Sequence, residues 1–378
     1  MADVDALTAP KVTPIAAPPS GGPSARTPAA EASSAVSTSP VLPPILKGNP
    51  FRRRILVCVD RSIFAEGCVP YAVWLAKTFG GAITLVHVMQ SRHDDNERQP
   101  SDALGWEISR QESNAYLERL GKEISQALGQ PAEMRLEQGR SAERIVDLAH
   151  EIGAHLIVIG SRGEGGAPAG TLGRTAQQVL SLARCSVFIA QSHASTTPAE
   201  ISPKCILVPL DGSLRTESVL PAAARIASAP GATMLLVHAV QEPLPTALLD
   251  AAEDIDLART LSLRLESGAK KYLDHLQEQL AREVTSVRTL VVRHPNERQC
   301  LLEISQKEHS DLIVLSAHGS ACDSGRSFGS VTAYFLAHLT VPVLVLQDLR
   351  DGEADRPQNL DAKPAPPALR ASYASETA

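Results

Sequence analysis

Two short apolar runs recur along this chain, and each ends in aspartate: Ile55-Leu56-Val57-Cys58-Val59-Asp60 and Ile206-Leu207-Val208-Pro209-Leu210-Asp211. An unbroken apolar run of this length is the pattern of a strand buried on both faces. After Asp60 the pattern turns helical through about 64–79, with Pro70 inside it. Interior proline breaks the helical hydrogen-bond ladder, so a kink or a late start is expected there. Gly80-Gly81 stops the helix. A second strand runs from Ile83 to Met89, and a long helix follows with Leu117, Leu120, Ile124 and Leu128 on one stripe. Met134-Arg135-Leu136 reads as a short third strand. A helix near 141–152, a strand at 155–159, a helix near 174–183 and a strand at 186–190 complete the unit. Strands alternating with helices predict a parallel sheet with right-handed crossovers.

The same order returns in the second half because the chain is duplicated. At an offset of 151, Ser62 meets Ser213, Pro70 meets Pro221, Ala76 meets Ala227, Leu85-Val86-His87 meets Leu236-Val237-His238, and Gln90 meets Gln241. At an offset of 156, Tyr116-Leu117 meets Tyr272-Leu273 and Leu156-Ile157-Val158-Ile159 meets Leu312-Ile313-Val314-Leu315. Gly163 then meets Gly319, Gly173 meets Gly329, and Val187-Phe188-Ile189 meets Val343-Leu344-Val345. One five-residue length change between 91 and 115 separates two constant offsets, which is the signature of a tandem repeat. The expected fold class is therefore α/β: two tandem doubly wound five-stranded parallel-sheet domains, at 53–192 and 203–348. Residues 1–50 and 351–378 are rich in Ala, Pro, Ser and Thr and are expected to be disordered tails.

Chemistry concentrates in the segment after the fourth strand. In the first repeat it reads Gly160-Ser161-Arg162-Gly163-Glu164-Gly165-Gly166, continuing to Gly173-Arg174-Thr175. In the second it reads Ser316-Ala317-His318-Gly319 and continues to Gly329-Ser330. Both lead from a buried strand to a helix N-terminus. Glycines permit positive φ and close backbone approach. Successive N–H groups, the helix dipole and a hydroxyl at Thr175 or Ser330 suit a phosphate. No GxxxxGK[ST] loop occurs, nor a GxGxxG turn after the first strand. A plain mobile loop is the competing reading of the glycines alone.

The spacing G-x2-G-x9-G-[ST] after a strand of LIVIG type resembles the ATP-binding motif of the universal stress protein family. The V-D end of the first strand, with serine two residues on, and the second strand LVHV resemble that family as well. The likeness covers about 53–192 and 203–348. It implies ATP, with or without Mg, as the ligand. Carried over by position, Asp60 and Asp211 stand at the ribose and adenine end, and Val88 and Ala239 flank the adenine. Gly160, Gly163, Gly173, Arg174 and Thr175 line the phosphates in the first repeat; Ser316, Gly319, Gly329 and Ser330 do so in the second. The family's sheet order puts the first and fourth strands side by side at a topological switch point, where ligands of open α/β sheets bind. Arg174 stands where the motif has Ser or Thr, with Thr175 one place late, and Ser316 stands where it has glycine. Asp60 and Asp211 are equally readable as helix N-caps.

The chain has 36 basic and 42 acidic residues, a net charge of −6 and 3% aromatic residues, which argues against a nucleic-acid or anionic-membrane surface. No apolar run approaches a span, and the acidic start MADVDALTAP is unlike a signal peptide, so a cytoplasmic location is expected. Arg52-Arg53-Arg54 is read as capping the start of a buried strand. The six cysteines show no metal or CxxC spacing and are expected to be reduced. His87 and His238 are read as structural, and His318 and His93 as loop histidines.

Three functions stay open: an ATP-binding stress-response regulator with little or no turnover, a weak ATPase or autokinase, and an interaction module without nucleotide. Neither loop carries a lysine or carboxylate cluster, which argues against an enzyme. The family pairs domains through the last strand, here Val341–Leu346. The two repeats are expected to pair within one chain, and a homodimer is the alternative.

Overall fold

The computed structural model describes residues 53–90, 103–165, 170–191, 201–242, 252–320, 328–338 and 340–347. The expected disordered tails, the segment holding His93, and Cys322 lie outside these residues.

In the first repeat the strands are β1 (Arg54–Cys58), β2 (Ala82–Met89), β3 (Glu133–Gln138), β4 (Leu156–Gly160) and β5 (Ser186–Ala190). The helices are α1 (Ile63–Glu66), α2 (Val69–Phe79), α3 (Ala103–Leu128), α4 (Ser141–Glu151) and α5 (Arg174–Leu182). The second repeat gives β6 (Cys205–Pro209), β7 (Thr233–Gln241), β8 (Val287–His294), β9 (Leu312–Ser316) and β10 (Val343–Leu346). Its helices are α6 (Leu214–Glu217), α7 (Leu220–Ala227), α8 (Ala252–Leu280), α9 (Glu297–Lys307) and α10 (Ser330–Ala337). Pro70 produces the late start: the expected helix is two, and proline occupies the first turn of α2, where its missing N–H costs nothing. Gly80 ends α2 with φ +71°, a conformation glycine adopts freely.

Each repeat is a parallel sheet, and the two join. The strand order is β3-β2-β1-β4-β5-β10-β9-β6-β7-β8, ten strands in one sheet. Only the central pair is antiparallel, with Val343 opposite Ile189, Leu344 opposite Phe188 and Val345 opposite Val187. These strands are fully buried and apolar, so an unpaired β5 or β10 edge would present a sticky ladder to other chains. Phe188 also packs on Tyr71 and Trp74, with ring centroids 5.3 and 6.4 Å apart.

The core lies on both sides of the sheet. On one side α2, α3, α7 and α8 cover Ile55, Val57, Leu85, Val158, Val208 and their neighbours. On the other, α4, α5, α9 and α10 cover Leu56, Cys58, Val86, Ile157 and Ile159 and their counterparts. Arg53 is buried and donates from Nη1 to the carbonyl of Phe79, so it caps the end of α2 and not the start of the strand as the basic run was read. Within each repeat the chain builds outward from β1 to β2 and β3, then returns to β4. The switch point therefore falls between β1 and β4, and between β6 and β9, at the carboxyl ends of the strands.

Candidate functional site

Asp60 follows the end of β1, and its carboxylate closes the distance to a loop a hundred residues away. Oδ2 accepts the Glu164 N–H at 2.8 Å, while Oδ1 accepts the N–H and hydroxyl of Ser62 at 3.0 and 2.6 Å. Asp60 is thus not the helix N-cap. Ser62 is, accepting the Ala65 N–H at 3.1 Å, and Asp60 holds that cap in place. The second repeat builds the same device. Asp211 Oδ2 accepts the Ser320 N–H at 2.6 Å, and Oδ1 accepts the Ser213 N–H and the Thr216 hydroxyl at 2.9 and 2.8 Å. Ser213 caps α6. Burial acts to raise the Asp211 carboxyl, but hydrogen bonds from Ser213, Ser320 and Thr216 outweigh it and hold it at about 2.

The loop glycines earn their places by space, not by φ. Gly163, Gly173, Gly319 and Gly329 are not in the left-handed region; Gly170 is, at φ +81°. A Cβ on Gly163 would overlap Asp60 Oδ2, and one on Gly319 would stand 2.6 Å from Asp211 Oδ2. Gly173 and Gly329 approach less closely: a Cβ there would meet Ser161 O and the Gly319 nitrogen at 3.4 Å. Of the two uses expected of the loop glycines, close approach, against the acid and the loop backbone, holds for these four, and positive φ does not.

Ser161 fixes the root of the first loop. Its N–H donates to Ala190 O at 2.8 Å, and its carbonyl accepts the Gly173 N–H at 2.8 Å. Ala317 makes the matching pair with Leu346 O and the Gly329 N–H, each 2.8 Å. Helices α5 and α10 begin immediately after Gly173 and Gly329 without a side-chain cap, so their first N–H groups have no intrahelical acceptor and their positive dipole ends face the loops.

Val88 and Ala239 are half-buried near the ends of β2 and β7, packed against the same layer as α4–α5 and α9–α10. Arg174 is exposed and Thr175 half-buried in the first turn of α5, and Ser330 is exposed at the start of α10. Gly160 and Ser316 are the last residues of β4 and β9. A Cβ on Gly160 would point at Phe64 O (3.2 Å) and Ala65 Cα (3.4 Å), toward α1. Two features escaped the sequence reading. Arg162 stacks over the Phe64 ring at 4.7 Å, and His318, expected exposed, is 6% exposed. In the second repeat Glu297 opens α9, and burial followed by the Asp211 charge pushes its carboxyl up. No group of three or more His, Cys, Asp or Glu able to hold a metal occurs among the described residues.

A family model described as the universal stress protein family matches residues 52–191 and again 203–347. The chain belongs to the universal stress protein family. Among curated relatives, a universal stress protein of Mycolicibacterium smegmatis is 24% identical over 78% of this chain and 96% of its own length. Universal stress protein Slr1230 of Synechocystis is 22% identical over 78% of this chain and all of its own. The fold of this universal stress protein also matches a solved universal stress protein from Archaeoglobus fulgidus, with TM-score 0.54 and 17% identity over 78% of this chain and 98% of that one. A structure of protein PA1789 from Pseudomonas aeruginosa matches equally, at TM-score 0.54 and 17% identity, over 80% and 94%. Among the described residues, no helix is long and apolar enough to cross a membrane.

Proposed function

We propose that this universal stress protein is a cytoplasmic stress-response regulator that binds an adenine nucleotide, ATP with or without Mg, with little or no turnover. One observation carries the reading. In each repeat a strand-end carboxylate meets a glycine loop at the switch point, and the loop runs directly into an uncapped helix N-terminus. That arrangement offers an acceptor for ribose hydroxyls at one end and N–H donors for phosphates at the other. Val88 and Ala239 supply small apolar contact beside it for the adenine. Turnover is expected to be slow because neither loop holds a lysine or carboxylate cluster to activate an attacking group.

The test is the nucleotide content of the purified protein, by acid release and chromatography, with calorimetry on adding MgATP. ATP in wild type, reduced in Gly173→Val or in Gly329→Val, establishes binding and names the occupied repeat. No nucleotide and no heat with MgATP leaves the interaction module, a reading favoured by Arg174 at the motif's hydroxyl position. The repeats meet through β5 and β10, so a further homodimer needs a second surface. Light scattering of the purified chain tests for one.

A further inference from the structure

The two repeats have drifted apart around the β1–α1 and β6–α6 turns, yet certain positions remain identical. Arg61, Phe64, Ala65 and Val88 became Gly212, Arg215, Thr216 and Ala239 at the matching positions. Asp60, Ser62, Glu66, His87 and Tyr116 recur as Asp211, Ser213, Glu217, His238 and Tyr272. The acid and serine belong to the site itself. Glu66 pairs with Arg119, and among the described residues no hydrogen bond joins the histidine, tyrosine or glutamate to the loop.

Their geometry recurs too. His87 and Tyr116 meet edge to face at 6.3 Å and 72°; His238 and Tyr272 meet at 6.3 Å and 73°. Glu66 ends α1 beside Tyr116, and Glu217 ends α6 beside Tyr272. Below the turn, Val59 donates its N–H to Val86 O at 3.0 Å, one step past the regular β1–β2 register, which ends at Cys58 opposite Val86. The Val59 carbonyl is then bonded by the His87 ring, Nδ1 to O at 2.9 Å. A side chain thus takes over where the strand ladder stops, on the residue immediately before Asp60. His87 is 8% exposed, so water competes poorly for that carbonyl.

We propose that His87 is a positioning residue for Asp60: its Nδ1–H holds the Val59 carbonyl, keeps the chain extended past the end of β1, and aims the Asp60 carboxylate at the Glu164 N–H and the ligand. Tyr116 fixes the ring by packing against its edge. The second repeat keeps the rings but not the bond. The Leu210 carbonyl lies near enough to favour a charged His238, yet His238 Nδ1 is buried without a hydrogen-bond partner among the described residues.

The ligand part of this inference rests on the nucleotide reading; the aim of Asp60 does not, and the test separates them. His87→Phe keeps the ring and its contact with Tyr116 but removes the donor. His87→Asn restores an N–H at the place of Nδ1. Amide exchange at Glu164 reports the Asp60 bond without ligand, and calorimetry with MgATP reports binding. His87→Phe is expected to speed Glu164 exchange and weaken MgATP binding, each by about tenfold, the scale of one hydrogen bond. His87→Asn is expected to recover most of both. If His87→Phe does not fold, His87→Leu takes its place. Unchanged Glu164 exchange in a folded donor-less variant overturns the proposal, whatever the melting temperature does. Faster exchange without MgATP binding to any variant, wild type included, overturns the nucleotide reading and leaves the positioning role standing.

Discussion

Gly163→Ala adds one methyl group at the point where the β1 acid meets the loop. That methyl would overlap Asp60 Oδ2, and the Cβ is fixed to the backbone, so the carboxylate must turn away. Gly163 is not in the left-handed region, so no backbone strain accompanies the change and the effect is steric alone. The bond given up is Glu164 N–H to Oδ2, 2.8 Å, while Ser62 continues to hold Oδ1. A hydrogen bond to a charged acceptor contributes about 1.5–3 kcal/mol when buried. Glu164 is exposed and Asp60 only half-buried, so solvent screening reduces this to about 1 kcal/mol. For a cooperative unit of this size that is about 2–4 °C in Tm.

On the proposed nucleotide reading the larger effect falls on the ligand, because a displaced carboxylate would no longer meet the ribose. Gly163→Ala is expected to weaken MgATP binding in the first repeat by about tenfold or more, which is at least about 1.4 kcal/mol. Gly173→Ala is the control. Its Cβ meets Ser161 O at 3.4 Å, an ordinary contact, so stability stays within about 0.5 kcal/mol of wild type. Thermal melts and calorimetry on the two variants give both numbers. Wild-type MgATP affinity in Gly163→Ala, in a chain whose second repeat is blocked by Gly329→Val, refutes the reasoning.

Three other outcomes are expected. Phe188→Ala removes a fully buried ring from the strand pair joining the repeats and from its packing on Tyr71 and Trp74, so urea unfolding should show a loss of about 3–5 kcal/mol. Asp211, held at about 2 in the folded chain against about 3.9 unfolded, contributes stability that is present above about pH 4 and fades as pH falls toward 2. Asp211→Asn should flatten the acid limb of a stability–pH profile in that window, and an unchanged limb would contradict it. Ser316→Gly removes a buried hydroxyl that has no hydrogen-bond partner among the described residues but adds backbone freedom, so stability should move by no more than about 1 kcal/mol, with MgATP binding in the second repeat unchanged by calorimetry.

Most of the fold was legible because it rests on apolar runs. The last strand of the first repeat was expected at 186–190, where β5 lies, and the Pro70 late start follows from covalent structure. β3 was read three residues short because it stands at the sheet edge, where Glu133, Glu137 and Gln138 dilute the apolar signal. The meeting of Asp60 with the loop at Gly163 and Glu164 was legible. Its reasons were not. Which oxygen of Asp60 faces which N–H decides why Gly163 is glycine, and that depends on the register of β1 against β4. The role of His87 depends likewise on the β1–β2 register stopping two residues before the acid. Burial of His318 follows from the path of its loop, which composition does not record.

The two departures from the family motif carry different weight once the directions of side chains are known. Gly160 and Ser316 close their strands with the Cβ direction turned toward the short helix after the first strand, as the neighbours of Gly160 show. A serine there adds an unpartnered hydroxyl to a buried seam; it takes no donor from the loop, where the N–H groups of Gly329 and Ala317 keep the bonds of their counterparts. Ser316 therefore argues about stability and not about lost binding. Arg174 differs, because it occupies the first position of α5, at the positive end of the dipole where an anion would sit. A guanidinium there can pair with phosphate bidentately, whereas a hydroxyl donates once. Replacing hydroxyl by arginine exchanges a short-range donor for a charge whose effect grows with the charge of the ligand. On the proposed nucleotide reading, calorimetry is expected to show ATP bound more tightly than AMP in the first repeat, and the two nucleotides separated less in the second, where Ser330 keeps the hydroxyl.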